Sequence, residues 1–221
     1  MMPRIPRGDS ANGIYHIINR GNMRMQVFND AEDYEYFLEL LHNSAKRYKV
    51  AIHAYCLMPN HFHLLLSPER EGSLSRMMQW LMTSHVRYYH RKNKTSGHVW
   101  QGRYKSFMVE KDSYYIGVMR YIEANALRAG LVEKAEDWIY GSLYARALPS
   151  AHLSEPLVEL GDGWEDNVNM TMQIDELEKI RNSVNRQAPL GKDEWQIVVA
   201  LQHGLLPTLG NRGRPKKEYD V

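Results

Sequence analysis

Two apolar runs flank a short turn in residues 50–68, which read VAIHAYCLMPNHFHLLLSP. Val50–Leu57 and His61–Ser67 have the length and apolar character of buried strands. Met58-Pro59-Asn60 between them suits a tight connection, because Pro and Asn favour turn conformations. The two segments are therefore predicted to pair as an antiparallel hairpin.

Strand and helix patterns alternate on either side of this hairpin. Gly13–Arg20 and Tyr104–Val109 are predicted strands, and helices are predicted to begin at Asn29-Asp30, Ser73 and Asp112, because short polar side chains cap helix N-termini. The resulting order is β-α-β-β-α-β-α. This order predicts an α+β fold with a ferredoxin-like antiparallel sheet of the split-βαβ kind, followed by a small C-terminal helical extension.

The 221-residue chain has a globular composition, with 43% hydrophobic and 24% charged residues, which argues against a disordered or fibrous protein. Its net charge is only +2, but residues 80–128 carry +6 and are a candidate surface for nucleic acid. A single cysteine, Cys56, excludes a disulfide framework. Since no apolar run approaches the roughly 20 residues of a spanning helix and the N-terminus lacks a signal-peptide core, we expect a cytoplasmic protein without membrane contacts.

The composition changes after about residue 150. Residues 155–178 hold eight acidic residues and no Lys or Arg. Two apolar-striped helix patterns follow, and they are too short to fold alone, so we expect them to pack on the rest of the chain through Trp195 and Leu201. The predicted segments are a basic N-terminal arm (1–11), a main domain (12–148), a linker (149–165) and a C-terminal helical extension with a basic Arg-Gly-Arg-Pro tail (166–221).

His61 and His63 form the first candidate site. Alternate side chains of a strand share a face, so both imidazoles should project together while Phe62 enters the core on the other side. Two neighbouring imidazoles can chelate one divalent metal ion. A pair of surface histidines on an exposed sheet face is the alternative.

Tyr121 and Asn125 form the second candidate site. They are four residues apart on the third predicted helix, so they would lie on one face of it. This helix should end at Gly130. Tyr121 would lie beside the apolar stripe of the helix. An amide oxygen is a competent metal ligand. The alternative is a half-buried tyrosine with an asparagine that helps to end the helix.

The third candidate is the basic, aromatic-rich segment 85–104, whose cations would neutralise phosphates while Tyr and Trp stack on unpaired bases. A solvated helix end is the alternative. The tail could lie in a narrow minor groove, or could serve only solubility. The candidate DNA contacts are Arg4, Arg7, Arg87, Arg91, Lys92, Lys94, Arg103, Arg212 and Arg214.

These motifs together resemble a known family. Residues 58–66, MPNHFHLLL, resemble the HUH motif (His, hydrophobic, His) of single-tyrosine transposases, and residues 120–132, RYIEANALRAGLV, resemble their catalytic-tyrosine helix. Residues 100–106, WQGRYKS, also match. The resemblance runs over residues 12–145 and is to the REP-associated branch, bacterial relatives of the insertion-sequence-200-like enzymes. That branch usually has Pro after the asparagine, where this chain has Ala126.

The resemblance implies an HUH nuclease fold for residues 12–148 and a strand-cleaving and rejoining enzyme. It implies that Tyr121 is the nucleophile, which forms a 5′-phosphotyrosine, and that His61, His63 and Asn125 hold Mg²⁺ or Mn²⁺. The implied substrate is single-stranded and hairpin DNA from repetitive extragenic palindromes, which places the protein at the nucleoid. Both monomers and homodimers occur among similar proteins.

Two other functions compete with this interpretation. The same scaffold could bind DNA without cutting it, although all the proposed active-site residues are present. The His pair could instead serve a metal-dependent hydrolase. A metallo-β-lactamase-like enzyme would require Asp at the position of Leu65, and an amidohydrolase barrel would require about 250 residues, so both are disfavoured.

Overall fold

The computed structural model describes residues 9–149 and 152–210 and is built on a four-stranded sheet. The strand order is β2-β3-β1-β4, and every neighbouring pair is antiparallel. This confirms the predicted α+β, ferredoxin-like fold. The strands are β1 (Ile14–Arg20), β2 (Val50–Met58), β3 (His61–Pro68) and β4 (Lys105–Val109); the helices are α1 (Ala31–Tyr48), α2 (Ser73–Asn93), α3 (Ser113–Glu123), α4 (Asn125–Arg128), α5 (Ser142–Arg146), α6 (Trp164–Asn169), α7 (Ile174–Arg186), α8 (Asp193–Gln202) and α9 (Leu206–Leu209).

The hairpin of β2 and β3 divides the interior into two layers. Phe62 and Leu64 point to the side covered by α1 and α2, where they join the larger core. Leu65 points to the other side and joins the core built on α3 and the C-terminal extension. Both faces of the sheet are therefore buried, and the odd-numbered positions of β3 face α3.

Capping explains where two of the helices begin. The Asp30 side chain accepts a hydrogen bond from the backbone N–H of Asp33, and Asp112 does the same for Tyr114, as the sequence predicts. The predicted cap of α2 is wrong. Ser73 is already the first helical residue. The backbone N–H of Ser75 donates instead to the carboxylate of Asp9, a residue that precedes β1 in the sequence.

The third predicted helix is interrupted, because Ala124 adopts φ −79° and ψ 4° between α3 and α4. The carbonyl oxygen of Tyr121, one turn before the break, accepts a hydrogen bond from the Arg128 guanidinium at 3.2 Å. This contact gives the Tyr121 carbonyl a side-chain hydrogen-bond partner beside the break.

The C-terminal extension packs on the α3 side of the sheet and shares its core through Ile180 and Leu190. Trp195 is partly buried against the larger core, but Leu201 is 60% exposed, so its predicted anchoring role is wrong. The described part of the predicted linker is held in place rather than loose, because Ser154 pairs with the backbone of β2. The division into segments otherwise stays a prediction.

Both edges of the sheet are covered. Leu190 forms a parallel bridge to Val109 and so extends the β4 edge. Gly141 bridges to Cys56, and the Trp138 indole donates to the carbonyl oxygen of Leu57, on the β2 edge. Covered edges prevent strand addition by other chains. Within residues 9–149 and 152–210, no helix is long and apolar enough to cross a membrane.

A buried carboxylate ties α3 to the C-terminal half of the chain. The Glu123 side chain is fully buried and accepts hydrogen bonds from Ser142, Arg146 and Trp164 at 2.6, 2.9 and 2.7 Å. Glu123 follows Tyr121 by two residues, and these contacts hold the end of α3 against α5 and α6. Burying a carboxylate costs free energy unless hydrogen bonds and an ion pair compensate its charge in this way.

The Glu123 cluster makes a prediction about stability. Glu123→Ala would leave the largely buried guanidinium of Arg146 without its carboxylate, so the free energy of unfolding should fall by about 3–5 kcal/mol. Urea unfolding measures this change. Glu178→Ala, at an exposed position on α7, is the control and should change it by less than about 0.5 kcal/mol. A Glu123 variant as stable as the parent chain would contradict the assigned role.

The buried His85 makes a prediction about pH. It lies among Phe28, Phe37 and Trp100, and neither ring nitrogen has a hydrogen-bond partner among the described residues. Burial lowers its pKa to about 4, whereas an unfolded chain has a histidine pKa of about 6.5. Between these values the unfolded state binds more protons, so stability is lost as the pH falls below about 6.5.

Replacing His85 by Phe should flatten this pH dependence. We expect the slope of the unfolding free energy to decrease by up to about 1.4 kcal/mol per pH unit between pH 6 and 5. The measurement is urea unfolding at several pH values. His98→Phe, at an exposed position, should leave the slope unchanged. Equal slopes for the parent chain and the His85 variant would show that folding leaves the protonation of His85 unchanged.

Candidate active site

Three histidines meet on the α3 face of the sheet. Ile18 of β1 pairs with His63 of β3, and Arg20 pairs with His61, so His16 comes beside His63 on the same face. The ring centroids of His61 and His63 are 5.2 Å apart, and those of His16 and His63 are 5.0 Å apart. His16 and His63 are buried and His61 is half-buried. The histidines do not form an exposed surface pair.

Both candidate metal-binding imidazoles use Nδ1 for a hydrogen bond. Nδ1 of His63 lies 2.8 Å from Nε2 of His16, and Nδ1 of His61 lies 2.6 Å from the amide oxygen of Asn60. Metal-binding histidines usually have one ring nitrogen fixed in this way, which leaves the other for the ion. The arrangement therefore leaves Nε2 of both rings available.

The charge state of the pair also suits a metal. Burial, together with the positive charges of Arg20 and Arg128, lowers the pKa of His61 to about 4. Burial also lowers the pKa of His63 well below its usual value, and His16 adds to this effect. Both rings are therefore neutral at physiological pH, which is the form that binds metal ions.

Tyr121 faces these histidines from α3. Its ring centroid lies 5.7 Å from that of His63 and 6.0 Å from that of His16, and its side chain is 7% exposed. The nearby Tyr115 is fully buried against His53 of β2, and its hydroxyl accepts a hydrogen bond from the backbone N–H of Leu157. Tyr114 lines a cavity with α7 and α8 residues. Of these three tyrosines, Tyr121 is the one that meets the histidines.

Asn125 is buried beside Tyr121, but its amide is already engaged. Its side-chain oxygen accepts a hydrogen bond from Arg128 at 2.7 Å, and its side-chain nitrogen has no partner among the described residues. A carbonyl oxygen has two lone pairs, so it can accept this bond and still coordinate an ion. The two imidazoles are chemically suited to a divalent metal, and the side-chain oxygen of Asn125 keeps one lone pair beside its bond to Arg128.

No group of three or more His, Cys, Asp or Glu side chains within residues 9–149 and 152–210 could hold a metal ion. A metal here would depend on two imidazoles and one neutral amide oxygen. Such a set adds no negative charge and leaves coordination positions open. Mixed nitrogen and oxygen ligands suit Mn²⁺ better than Mg²⁺, which prefers oxygen.

Two residues at this site escaped the sequence analysis. His16 shares a face of β1 with Ile18 and Arg20. The sequence GIYHIINR does not indicate a contact with His63, because that contact depends on the register between β1 and β3. Arg128 lies inside the segment that resembles the tyrosine helix, but its contact with Tyr121 depends on the break at Ala124. Both roles arise from the tertiary structure.

The candidate DNA contacts of segment 85–104 lie in three different settings. Arg87 and Arg103 line a cavity of about 670 Å³ together with Trp100 and Tyr104, at the edge of the sheet near the end of β1. Lys92, in contrast, has its ammonium within 2.7–3.1 Å of the carboxylates of α1 and its cap, so its charge is already paired. Arg91 and Lys94 are exposed at the end of α2. Arg4, Arg7, Arg212 and Arg214 lie outside the described residues.

Known proteins resemble this chain in sequence and in fold. A family model described as "Transposase IS200 like" matches residues 9–125, more than half of the chain. A curated protein of Haemophilus influenzae, named as a REP-associated tyrosine transposase, is 28% identical over 102 residues, which span 41% of this chain and 57% of that protein. The chain therefore matches little more than half of that relative's length.

The solved structures include one with the same fold. It is described as a REP-associated tyrosine transposase bound to a REP hairpin, and it matches 72% of this chain and 94% of that chain. The TM-score is 0.56 and the sequence identity is 18%, so this similarity concerns the fold alone. Together with the sequence match over residues 9–125, it shows that the chain belongs to the IS200-like transposase family.

Proposed function

We propose that this protein cleaves and rejoins single-stranded DNA, with Tyr121 as the nucleophile. The observation that carries the proposal is the placement of the Tyr121 ring 5.7 Å from His63, on the sheet face that also bears His61. Phosphoryl transfer at a metal site needs a nucleophile and metal ligands, and a tyrosine beside two neutral imidazoles supplies both. The family match supports the same reaction class.

The chemistry balances without an external energy source. The Tyr121 hydroxyl oxygen forms a bond to phosphorus while the bond from phosphorus to the 3′ oxygen breaks. The phenol loses its proton to solvent, and the leaving 3′ oxygen takes one up. The product is a 5′-phosphotyrosine and a free 3′-OH, and the covalent bond preserves the phosphodiester energy so that the strand can be rejoined.

The chain's own residues position this reaction. The α3 backbone and the Glu123 cluster fix the position of Tyr121. His16 and Asn60 orient the imidazoles of His63 and His61, which with Asn125 would hold the divalent ion. When bound, the ion would polarise the scissile phosphate and stabilise its developing charge.

The proposed substrate is a DNA hairpin with an adjacent single-stranded segment. A relative of the same fold is described as bound to a REP hairpin, and we extend that substrate class to this chain. The cavity that Arg87, Arg103, Trp100 and Tyr104 line combines cations with aromatic rings, which suits an unpaired strand. A DNA substrate would place the protein in the cytoplasm, at the nucleoid.

One chain supplies His61, His63 and Tyr121 at this site. A monomer is therefore sufficient for the proposed cleavage, and a dimer would carry two complete sites. We propose that the tyrosine acts on DNA held by its own subunit.

The nucleophile can be tested by substitution. Tyr121→Phe should abolish the covalent protein–DNA adduct, because it removes the attacking oxygen, and should leave DNA affinity within about threefold. Denaturing gel electrophoresis of the protein with a labelled hairpin oligonucleotide measures the adduct. Tyr115→Phe removes a hydroxyl that only accepts a hydrogen bond from Leu157, so it should still form the adduct. An adduct with the Tyr121 variant, or its loss only with the Tyr115 variant, would contradict the assignment.

The metal site can be tested by direct binding. His61→Ala should weaken Mn²⁺ binding at least about tenfold, since loss of even an indirect partner of a metal site costs that much. Calorimetric titration of the metal-stripped protein measures the affinity, and cleavage should stop in excess chelator. His203→Ala, on the C-terminal extension, should bind Mn²⁺ as the parent chain does. Full cleavage activity of the stripped protein in chelator would exclude the metal mechanism.

A further inference from the structure

Arg128 lies over the face of the proposed nucleophile. Its guanidinium carbon is 4.2 Å from the ring centroid of Tyr121. One terminal nitrogen, Nη2, donates to the carbonyl oxygen of Tyr121 at 3.2 Å and to the side chain of Asn125 at 2.7 Å. The side chain thus contacts two of the residues proposed to act in cleavage.

The other terminal nitrogen of Arg128, Nη1, is buried, and no described residue accepts a hydrogen bond from it. No carboxylate among residues 9–149 and 152–210 forms an ion pair with Arg128. Burial lowers the pKa of Arg128, and the positive charge of Arg181 adds to this effect. An arginine that is mostly buried without an anion is costly.

Arg120, the other arginine of this helical region, shows the contrast. It immediately precedes Tyr121, but its guanidinium donates to the carbonyl oxygens of Asn167 and Met170 and pairs with Glu176. Arg120 therefore links α3 to the C-terminal extension. Within the described part of the chain, Arg128 has no hydrogen bond to the extension, and its guanidinium instead lies over the Tyr121 ring.

We propose that Arg128 is a catalytic residue that binds the scissile phosphate while Tyr121 attacks it. This inference rests on the proposed function and deepens it by naming the protein cation that receives the substrate. A guanidinium presents its N–H groups as a planar fork that matches two phosphate oxygens. Because the attacking oxygen must come close to phosphorus, a cation over the same ring is well placed for this contact.

The binding also explains why a cation is stable at this site. The phosphate supplies the negative charge that the protein does not, and it satisfies Nη1. The contact with Asn125 would then hold the guanidinium and the amide at fixed positions relative to the ring. A purely structural Arg128, in contrast, would need only its hydrogen bonds to Tyr121 and Asn125.

A charge-removal experiment on both partners separates these two roles. We would measure single-turnover cleavage by the full chain with Mn²⁺, using one hairpin oligonucleotide with a normal scissile phosphate and one with a neutral methylphosphonate there. Arg128→Gln should slow cleavage of the normal DNA about 10²-fold, the typical effect of losing one charge-stabilising donor. On the methylphosphonate DNA, Arg128→Gln should slow cleavage less than threefold, because no charge remains to be bound.

Arg120→Gln is the matched control. If it slows cleavage by loosening α3, it should do so equally on the two DNAs. An equal effect of Arg128→Gln on both DNAs would likewise assign Arg128 a structural role and overturn the inference. If the parent chain forms no adduct with any DNA, the proposed function fails, and that failure is visible before the variants are compared.

A binding measurement in chelator tests the contact without chemistry. With Tyr121→Phe as the background, Arg128→Gln should weaken binding of the normal oligonucleotide and leave binding of the methylphosphonate oligonucleotide unchanged. It should also reduce the slope of log affinity against log salt by about 0.7–0.9, the value for one phosphate contact. Unchanged affinity and slope on the normal DNA would contradict the contact.

Discussion

The pleat of β3 is the constraint on which the rest of the site depends. Because side chains alternate across a strand, the burial of Phe62 and Leu64 under α1 and α2 forces His61 and His63 to the opposite face. A register slip of one residue would place the imidazoles among the aromatic rings of the larger core and turn Phe62 to the α3 face. The same hydrophobic burial that stabilises the fold therefore also presents the histidines.

The second requirement is a tyrosine held against that face. α3 is packed between the sheet and the C-terminal extension, and the residues flanking Tyr121 are fixed from the extension side. Arg120 donates to carbonyl oxygens near the end of α6, and Glu123 accepts from the Trp164 indole. The extension thus belongs to the frame of the active site, although its sequence lies outside the segment that resembles the transposases.

Local patterns predict the parts of this structure that depend on local physics. The strand order, the caps at Asp30 and Asp112, and the shared face of His61 and His63 all follow from periodicity and capping. Contacts between distant segments do not. Asp9 caps α2, His16 meets His63, and the carboxylates of α1 neutralise Lys92, and each contact needs the sheet and helices to be assembled first. The break at Ala124 was missed for the same reason, since it accompanies the contact of Arg128 with the Tyr121 carbonyl.

We propose that one subunit brings Tyr121, His61 and His63 together around a single metal ion and a single phosphate. A crystal structure of the Tyr121→Phe protein with Mn²⁺ and a hairpin oligonucleotide would locate the ion through the anomalous signal of manganese. We expect one strong peak bound by Nε2 of His61 and His63, with the scissile phosphate between that peak and the ring at position 121 of the same chain. A manganese peak away from this pair, or a phosphate approached by the tyrosine helix of another subunit, would contradict it.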